Sequence, residues 1–249
     1  MTKFKTLALL FAVALAFAGC SEEKGYESGR GRLNVALSTD DSAIDLTRAS
    51  LGLTKPAAKD FSLTISDATG VISEWNSIAE YDVTTLYDAG NYSATATYGS
   101  TAVEAFETPC FVGTKEFAII NDQTTTVKIT AYVANAVVQV ACTDAFKNYF
   151  PDYSFTLTTA AGTEIPFVAG ETRRAFIDPY NFTVTGSATT QTGSTIKIEK
   201  SFSGIVAKTL YTVKFDVNSG NVGGATVTIS FNDEPVAEIP VDIELNDEI

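Results

Sequence analysis

Short runs in which apolar and polar residues alternate recur along the chain from residue 33 onward. In the first run, Leu33, Val35 and Leu37 are separated by single residues, so the three apolar side chains fall on one face of an extended chain. Similar runs return at intervals of ~8 to 15 residues, with turn sequences such as Asp67-Ala-Thr-Gly70 between them. About a dozen short strands with this spacing are typical of antiparallel β-sandwiches. The sequence therefore predicts an all-β fold.

The phase of the alternation changes near Asn135. Apolar residues occupy odd positions before it and even positions after it: Val127, Ile129, Ala131 and Val133, then Val138, Val140 and Cys142. An uninterrupted strand would turn its buried side from one face to the other here, as expected where a chain leaves one core and enters another. A β-bulge inside a single domain is the alternative. We place a boundary here, which gives two consecutive sandwiches over residues 31–134 and 135–249.

One short helix interrupts the strands of the second half. Phe146, Tyr149 and Phe150 have helical spacing, and Thr143 or Asp144 precedes them as a candidate N-cap. Pro151 ends the pattern, so the sequence predicts one short helix at this point.

The N-terminus has the features of a lipoprotein signal. Lys3 and Lys5 precede the apolar run from Leu7 to Phe17, which is too short to span a bilayer that needs about 20 residues, and Ala18-Gly19-Cys20 follows. We predict a signal peptide over residues 1–19, a lipid on Cys20 and a flexible tether over residues 20–30. A plain cleaved signal or a retained short anchor is the alternative.

The charge of the chain restricts its partners. Removal of residues 1–19 takes away two lysines and no acids, so the 17 basic residues become 15 against 30 acids, and the net charge becomes −15. This balance argues against a nucleic-acid partner, because phosphate binding needs clustered Lys and Arg. The membrane would then be reached only through the lipid on Cys20.

The chain contains no histidine, which removes the commonest general base and the commonest metal ligand. Among 30 acids, adjacent pairs such as Asp40-Asp41 arise by chance. The segment from Asp216 to Asn221 resembles the start of a calcium loop, but it lacks the closing glutamate and fits a hairpin turn better. We therefore predict no cofactor, no metal site and no enzymatic activity.

Cys110 and Cys142 are expected to be separate thiols, with a disulfide as the alternative.

Five segments of the chain share a recognisable order: Gly31-Arg-Leu-Asn-Val, Asp60-Phe-Ser-Leu-Thr-Ile, Leu86-Tyr-Asp-Ala-Gly-Asn-Tyr-Ser-Ala-Thr-Ala, Phe106-Glu-Thr-Pro-Cys-Phe-Val-Gly and Ala134-Asn-Ala-Val-Val-Gln-Val. In this order they resemble a family of Bacteroidetes surface lipoproteins catalogued as a domain of unknown function. That family is similar in architecture to fimbrial anchor, tip and adhesin lipoproteins built from two transthyretin-like sandwiches. The resemblance supplies no catalytic residue, since fold alone does not imply activity.

The same resemblance suggests roles for residues near the N-terminus. Ser21, Glu22 and Glu23 are similar to the tract that directs such lipoproteins to the outer face of the outer membrane. Asp41-Ser42-Ala43 is similar to a Bacteroidetes O-glycosylation pattern, with Ser42 as the acceptor. Arg48 lies where related fimbrial subunits are cut by a trypsin-like protease; an ordinary exposed loop arginine is the alternative.

Trp75 is the remaining candidate binding residue. It stands among polar neighbours beside a predicted turn, where a tryptophan can stack on a sugar ring, or it is a partly buried core residue. The leading hypothesis is a non-enzymatic surface lipoprotein, adhesin-like or accessory to a fimbria. A glycan-binding lipoprotein of a polysaccharide-uptake system is the second, and a hydrolase with two carboxylates is the third.

Overall fold

The computed structural model describes residues 29–41, 51, 53–221 and 224–242. The predicted signal peptide, Cys20 and the tract Ser21-Glu22-Glu23 lie outside these residues, as do Ser42 and Arg48. The roles assigned to them from the sequence stay predictions.

Seventeen strands and one α-helix follow one another in the described residues, which confirms the all-β fold. The strands are β1 (Arg30–Asp40), β2 (Ser62–Asp67), β3 (Gly70–Trp75), β4 (Leu86–Asp88), β5 (Gly90–Tyr98), β6 (Ala105–Phe106), β7 (Phe111–Ile119), β8 (Thr124–Val133), β9 (Ala136–Cys142), β10 (Asp152–Thr159), β11 (Glu164–Val168), β12 (Ala175–Ile177), β13 (Phe182–Thr189), β14 (Thr195–Phe202), β15 (Leu210–Asn221), β16 (Gly224–Phe231) and β17 (Glu234–Asp242). The helix α1 spans Asp144–Tyr149, and two 3₁₀ turns span Ala58–Asp60 and Ile78–Glu80.

The strands form three sheets. Their orders are β3-β2-β5-β7-β8-β1-β4, β11-β10-β13-β14 and β17-β16-β15-β9-β12-β6. The expectation of purely antiparallel pairing needs a correction at two places, because β1 pairs parallel to β8 and β9 pairs parallel to β15. In each half, the opening strand is paired with a strand that arrives much later in the chain and runs in the same direction. Such pairs need long connections, which alternation patterns do not reveal.

Each half has its own hydrophobic core. In the first half, the odd-numbered residues of β8, Val127 to Val133, are buried with Leu33 and Phe61. In the second half, Val138 lies in a separate cluster, in which the rings of Phe155 and Phe215 stack with their centroids 4.1 Å apart. The change of parity at Asn135 therefore accompanies a change of core, as expected for a strand that leaves one packed layer for another.

The helix α1 begins where the sequence predicts. The side-chain oxygen of Thr143 accepts a hydrogen bond from the backbone N–H of Phe146 at 3.1 Å, so Thr143 is the N-cap. Phe146 is the buried residue of this helix and contacts Phe150 and Phe215. The helix thereby closes one end of the second core.

The two halves also share a joint. β6 belongs to the first half by sequence, yet it pairs antiparallel with β12 and extends a sheet of the second half. The ring of Phe106 meets Phe167 edge-on at 5.0 Å between centroids, and the guanidinium of Arg173 lies 4.5 Å from the centre of the same ring. A segment of one half is thus built into the other half.

Buried polar groups cross this joint. The Glu104 carboxylate accepts hydrogen bonds from the hydroxyl of Thr159 at 2.6 Å and from the backbone N–H of Asp178 at 3.0 Å. The fully buried Asn135 accepts one from the backbone N–H of Cys110 at 2.6 Å. A buried donor that loses its acceptor lowers the free energy of unfolding by about 1–3 kcal/mol. These contacts therefore hold the halves in one relative position.

The joint has an apolar layer as well. Val137 and Phe176 follow the predicted boundary, but both are buried in the core cluster of the first half. The outer face of β9 and β12 consequently packs against residues 31–134. The two cores are separate, but this layer is shared between the halves. Whether each half folds independently on its side of Asn135 therefore stays a prediction.

Within the parts of the chain that the structure describes, none of the helices has the length and hydrophobicity that crossing a bilayer requires.

Candidate functional site: an open groove beside β9

The strand β9 is paired unequally on its two sides. On one side, β15 accompanies it from Val137 to Cys142. On the other side, β12 pairs only with Ala136, Val137 and Val138. In the described residues, no strand is paired with β9 on this second side beyond Val138. Half of a strand in the middle of a six-stranded sheet therefore has an open edge.

The hydrogen bonds to β15 show which backbone groups face this opening. The N–H of Val137 donates to Thr209 at 2.9 Å, and the N–H of Thr143 donates to Phe215 at 3.0 Å. Backbone groups of successive residues point alternately to the two sides of a strand, so odd-numbered residues face β15. The N–H and C=O groups of Val140 and Cys142 consequently point into the opening.

The segment that would continue β12 is held away by its own hydrogen bonds. Gly170 has the left-handed backbone conformation, with φ of 85°, that favours glycine. Next to it, the Glu171 carboxylate accepts hydrogen bonds from the N–H groups of Thr172 at 3.0 Å and Arg173 at 2.9 Å. The Arg173 guanidinium donates two further bonds, at 3.0 and 2.7 Å. The loop thus satisfies its donors locally instead of pairing with β9.

These hydrogen bonds also affect the charge state of the loop. The side chain of Arg173, followed by its backbone N–H, lowers the pKa of Glu171 from 4.5 to about 2. The Glu171 carboxylate is therefore ionised near neutral pH. The hydrogen bonds that fix the conformation of the loop are present under these conditions.

The opening is a groove with a cavity volume of about 300 Å³. Its floor is formed by the aromatic rings of Phe155 and Phe167, which belong to the second core. Polar groups surround it: Gln139, Lys147, Tyr153 and Thr172. An apolar floor with a few polar groups around it is the common form of a ligand site.

Cys142 lies in this groove as a free, partly buried thiol. Burial raises its pKa to about 11, although Lys147 and a hydrogen bond with the Tyr153 side chain act in the opposite direction. A thiol reacts as its thiolate, so Cys142 is a weak nucleophile at neutral pH. The groove thus offers backbone groups and apolar surface for contact with a ligand.

A second concavity of about 610 Å³ lies on the first half. The rings of Tyr92 and Phe117 stack at one part of its wall, with their centroids 5.9 Å apart and an angle of 22° between planes. Asp67, Asn91 and Glu116 supply polar groups around it. The hydroxyl and backbone N–H of Thr69 donate to Asp67 and lower its pKa. We call this concavity the aromatic dish.

Trp75 is not part of either concavity. It lies at the end of β3, partly buried against the first core, and meets Tyr81 edge-on with 5.1 Å between ring centroids. This position agrees with the alternative of a partly buried core tryptophan, and its stacking on a sugar stays a prediction.

The cysteines and acids give no further site in the described residues. Cys110 and Cys142 are both free thiols, as expected from the sequence, and Cys110 is buried. No group of three or more Cys, Asp or Glu side chains is arranged to hold a metal ion within these residues. The hairpin turn expected at Asp216 to Asn221 needs a correction, because these residues belong to β15, which pairs antiparallel with β16.

The groove was missed from the sequence. Val138, Val140 and Cys142 were correctly placed on the core side of a strand, but the pattern does not show that β12 separates from this strand after Val138. The nearest signal is Gly170-Glu171, a turn-forming glycine before an acid that can bind its own backbone. That signal locates a turn, and nothing in it locates a groove.

No curated protein matches the sequence. Among solved structures, a fimbrial assembly protein from Parabacteroides distasonis is similar, with 9% identity, a TM-score of 0.43 and coverage of 82% of this chain and 99% of that one. A candidate cell adhesion protein from Bacteroides eggerthii has 10% identity, a TM-score of 0.42 and coverage of 83% and 96%. A candidate polysaccharide-binding protein from Bacteroides thetaiotaomicron has 9% identity, a TM-score of 0.40 and coverage of 88% and 100%. Likenesses this distant support no inference about function.

The comparison with protein families is more decisive. Residues 29–247 match a family described as a domain of unknown function, DUF4493. The match covers nearly all of the chain that follows the predicted signal and tether, and it agrees with the resemblance seen in the sequence. The protein is therefore a member of the DUF4493 family.

Proposed function

We propose that the protein is a non-enzymatic lipoprotein at the outer face of the outer membrane, where it works as an adhesin-like or fimbria-accessory module. The lipid on Cys20 attaches it to the membrane, and the tract Ser21-Glu22-Glu23 directs it outward. A module of this kind is loaded in tension between its N-terminal anchor and whatever it binds further along the chain.

The observation that carries this proposal is the parallel pairing of β1 with β8. β1 is the first strand of the described residues, and β8 leads directly into the second half. The two strands are paired in parallel from Arg32 with Thr124 to Asp40 with Tyr132. Tension between the anchor and the second half pulls the start of β1 against the end of β8. The whole ladder is then loaded in shear, so its hydrogen bonds resist together instead of opening one at a time.

The joint between the halves supports the same proposal. β6 is paired into the second half, and the side chain of Lys208 lies 3.8 Å from both the Tyr132 ring centre and an Asp40 carboxylate oxygen. Tension is therefore shared by contacts at the joint as well as by the single covalent link at Ala134 and Asn135.

A pulling experiment tests the load path. Handles at Arg30→Cys and Tyr132→Cys load the ladder in shear, whereas handles at Arg30→Cys and Gln123→Cys, which lie at the same end, peel β1 from β8. Both proteins also carry Cys20→Ser, Cys110→Ala and Cys142→Ala, so that the handles are the only thiols. We expect a several-fold higher unfolding force in shear, since forced unfolding is governed by the unfolding rate. Equal forces in the two geometries would contradict the proposal.

Fractionation of cells tests the anchor. Cys20→Ser is expected to move the protein from membranes to the soluble fraction without unfolding it, because the two cores of the described residues are formed from Leu33 onward. Cys110→Ser is the matched control and is expected to stay in the membrane. Retention of the Cys20 variant in membranes would refute lipidation.

Protease accessibility on intact cells tests the orientation. Replacement of Glu22 and Glu23 by alanine is expected to leave the lipoprotein facing the periplasm, and therefore protected from added protease. Unchanged cleavage would show that this tract is not the export signal.

A glycan-binding lipoprotein is the second candidate, and the aromatic dish favours it. Stacked aromatic rings beside carboxylate and amide groups suit the apolar faces and hydroxyls of a sugar. A glycan array compares the unchanged protein with Trp75→Ala and Tyr92→Ala, and the exposed Tyr180→Ala is the control. The comparison shows which of the two candidate positions binds a glycan. Reproducible binding that either of the first two variants abolishes would favour this function over the first.

A further inference from the structure

We infer that the groove beside β9 binds an extended peptide strand of another protein, which adds to β9 through backbone hydrogen bonds. This goes beyond the proposed function, because it names the chemical class of the partner and the strand that receives it. Peptide binding does not depend on lipid anchoring. An experiment that refutes one of these two proposals therefore leaves the other unaffected.

The backbone geometry identifies the class of ligand. Val140 and Cys142 each present one N–H donor and one C=O acceptor to the open side, two residues apart on the same strand. An extended chain repeats its own donors and acceptors every second residue, so it can match all of these groups at once. Addition of a peptide to a sheet edge uses the same match for affinity and uses alternate side-chain pockets for specificity.

The floor of the groove limits the side chains of such a peptide. Phe155 and Phe167 lie below the open edge, and Val140 is only partly covered by the second core. Alternate side chains of an added strand would point to this floor. Because the cavity is about 300 Å³, small side chains such as Val or Thr fit it.

Other strand edges of the second half carry features that discourage pairing, and this one does not. β11 has Pro166, β17 has Pro235 and Pro240, and β14 presents charged side chains: Lys197, Glu199 and Lys200. Proline and charged residues on an edge are the usual protection against addition of a foreign strand. The open part of β9 carries Gln139, Val140, Ala141 and Cys142, with neither proline nor charge.

The chain also keeps its own nearest segment out of the groove. Glu171 and Arg173 bind each other and the loop backbone, as described above, and Gly170 turns the chain away. The opening is therefore a preformed feature, and a peptide does not have to displace a paired strand to enter it.

The test uses two synthetic heptapeptides, Lys-Val-Thr-Val-Thr-Val-Lys with blocked ends, one with a normal backbone and one with an N-methyl group at each of its five central residues. Their side chains are identical, but the methyl groups block both edges of the second peptide, so it cannot pair with β9 through either edge. We expect the normal peptide to bind at least about tenfold more tightly, in keeping with the loss of two or more net hydrogen bonds. It should also slow amide hydrogen exchange at Val140 and Cys142.

Two variants locate the binding. Thr172→Trp places a large ring at the rim of the groove on an exposed loop, where it is expected to fold normally and to weaken binding about tenfold or more. Thr192→Trp is the matched control on an exposed turn elsewhere, with binding unchanged. Equal affinity for both peptides, no binding at millimolar concentration, no protection at Val140 and Cys142, or normal binding by the Thr172 variant would each overturn the inference.

Discussion

The two ends of β9 have the same secondary structure and opposite environments. At Val137 and Val138 the strand is paired on both sides, Ala136 is paired with β12, and all three residues are fully buried. From Gln139 to Cys142 it is paired on one side and only partly buried. The first end fixes the position of the two halves, and the second leaves backbone groups free to bind. A single strand thus serves stability at one end and recognition at the other, and the point of change is the residue where β12 departs.

The largest expected effect is at the closed end. Phe176→Ala removes a fully buried ring from the layer between the halves. We expect a loss of about 3–5 kcal/mol in the free energy of unfolding, measured by urea denaturation. Tyr180→Ala, which truncates an aromatic side chain that is 63% exposed three residues after β12, is the control and should change stability by less than about 0.5 kcal/mol. A small effect of Phe176→Ala would mean that the joint contributes little.

A pair of proline substitutions tests the assignment of the two edges. The N–H of Ala141 points toward β15, whereas that of Val140 points into the groove. Ala141→Pro should therefore lower the free energy of unfolding by about 1–3 kcal/mol more than Val140→Pro does, because it leaves a carbonyl of β15 without its donor. Denaturation curves of the two variants give this difference directly. Equal destabilisation would show that both edges of β9 are paired.

A smaller effect is expected at the helix beside the open end. Thr143 caps α1 and also donates from its hydroxyl to Asp216 at 2.6 Å. Thr143→Ala should cost about 1 kcal/mol in the free energy of unfolding. Thr143→Ser keeps the hydroxyl and should retain most of the stability. If the serine variant is as unstable as the alanine variant, the methyl group and not the cap is responsible.

The smallest effect concerns the charge that holds the loop away from β9. The pKa of Glu171 is about 2 in the folded chain and 4.5 as its ordinary value. Since the folded value is the lower one, the carboxylate contributes its stabilisation fully above pH 4.5 and loses it as the pH falls through about 2. A carbon-13 NMR titration should give a midpoint near 2 for Glu171. Arg173→Gln should raise that midpoint, and an unchanged midpoint would contradict the assigned cause.

Local features of the fold were accessible from the sequence because each depends on neighbouring residues. The N-cap at Thr143 needs only a hydroxyl before a helical turn, and the hairpin from Asp67 to Gly70 needs only turn residues between two alternating runs. Strands of two or three residues, such as β6 and β12, contain too few positions to show a period. They were missed, and with them the sheet that joins the halves.

The sequence by itself determined the all-β class, the separation of the apolar positions into two cores and the absence of histidine chemistry, since these follow from period and composition. Only the tertiary structure decided the parallel partner of β1, the exchange of β6 into the second half and the opening beside Val140 and Cys142. Each of these depends on which distant segments lie side by side and where they part. Glu104 illustrates the difference: as one acid among 30 it has no distinguishing pattern, yet the joint buries it between Thr159 and Asp178. Pairing between segments tens of residues apart is set by the packing of the whole core, and no local pattern records it.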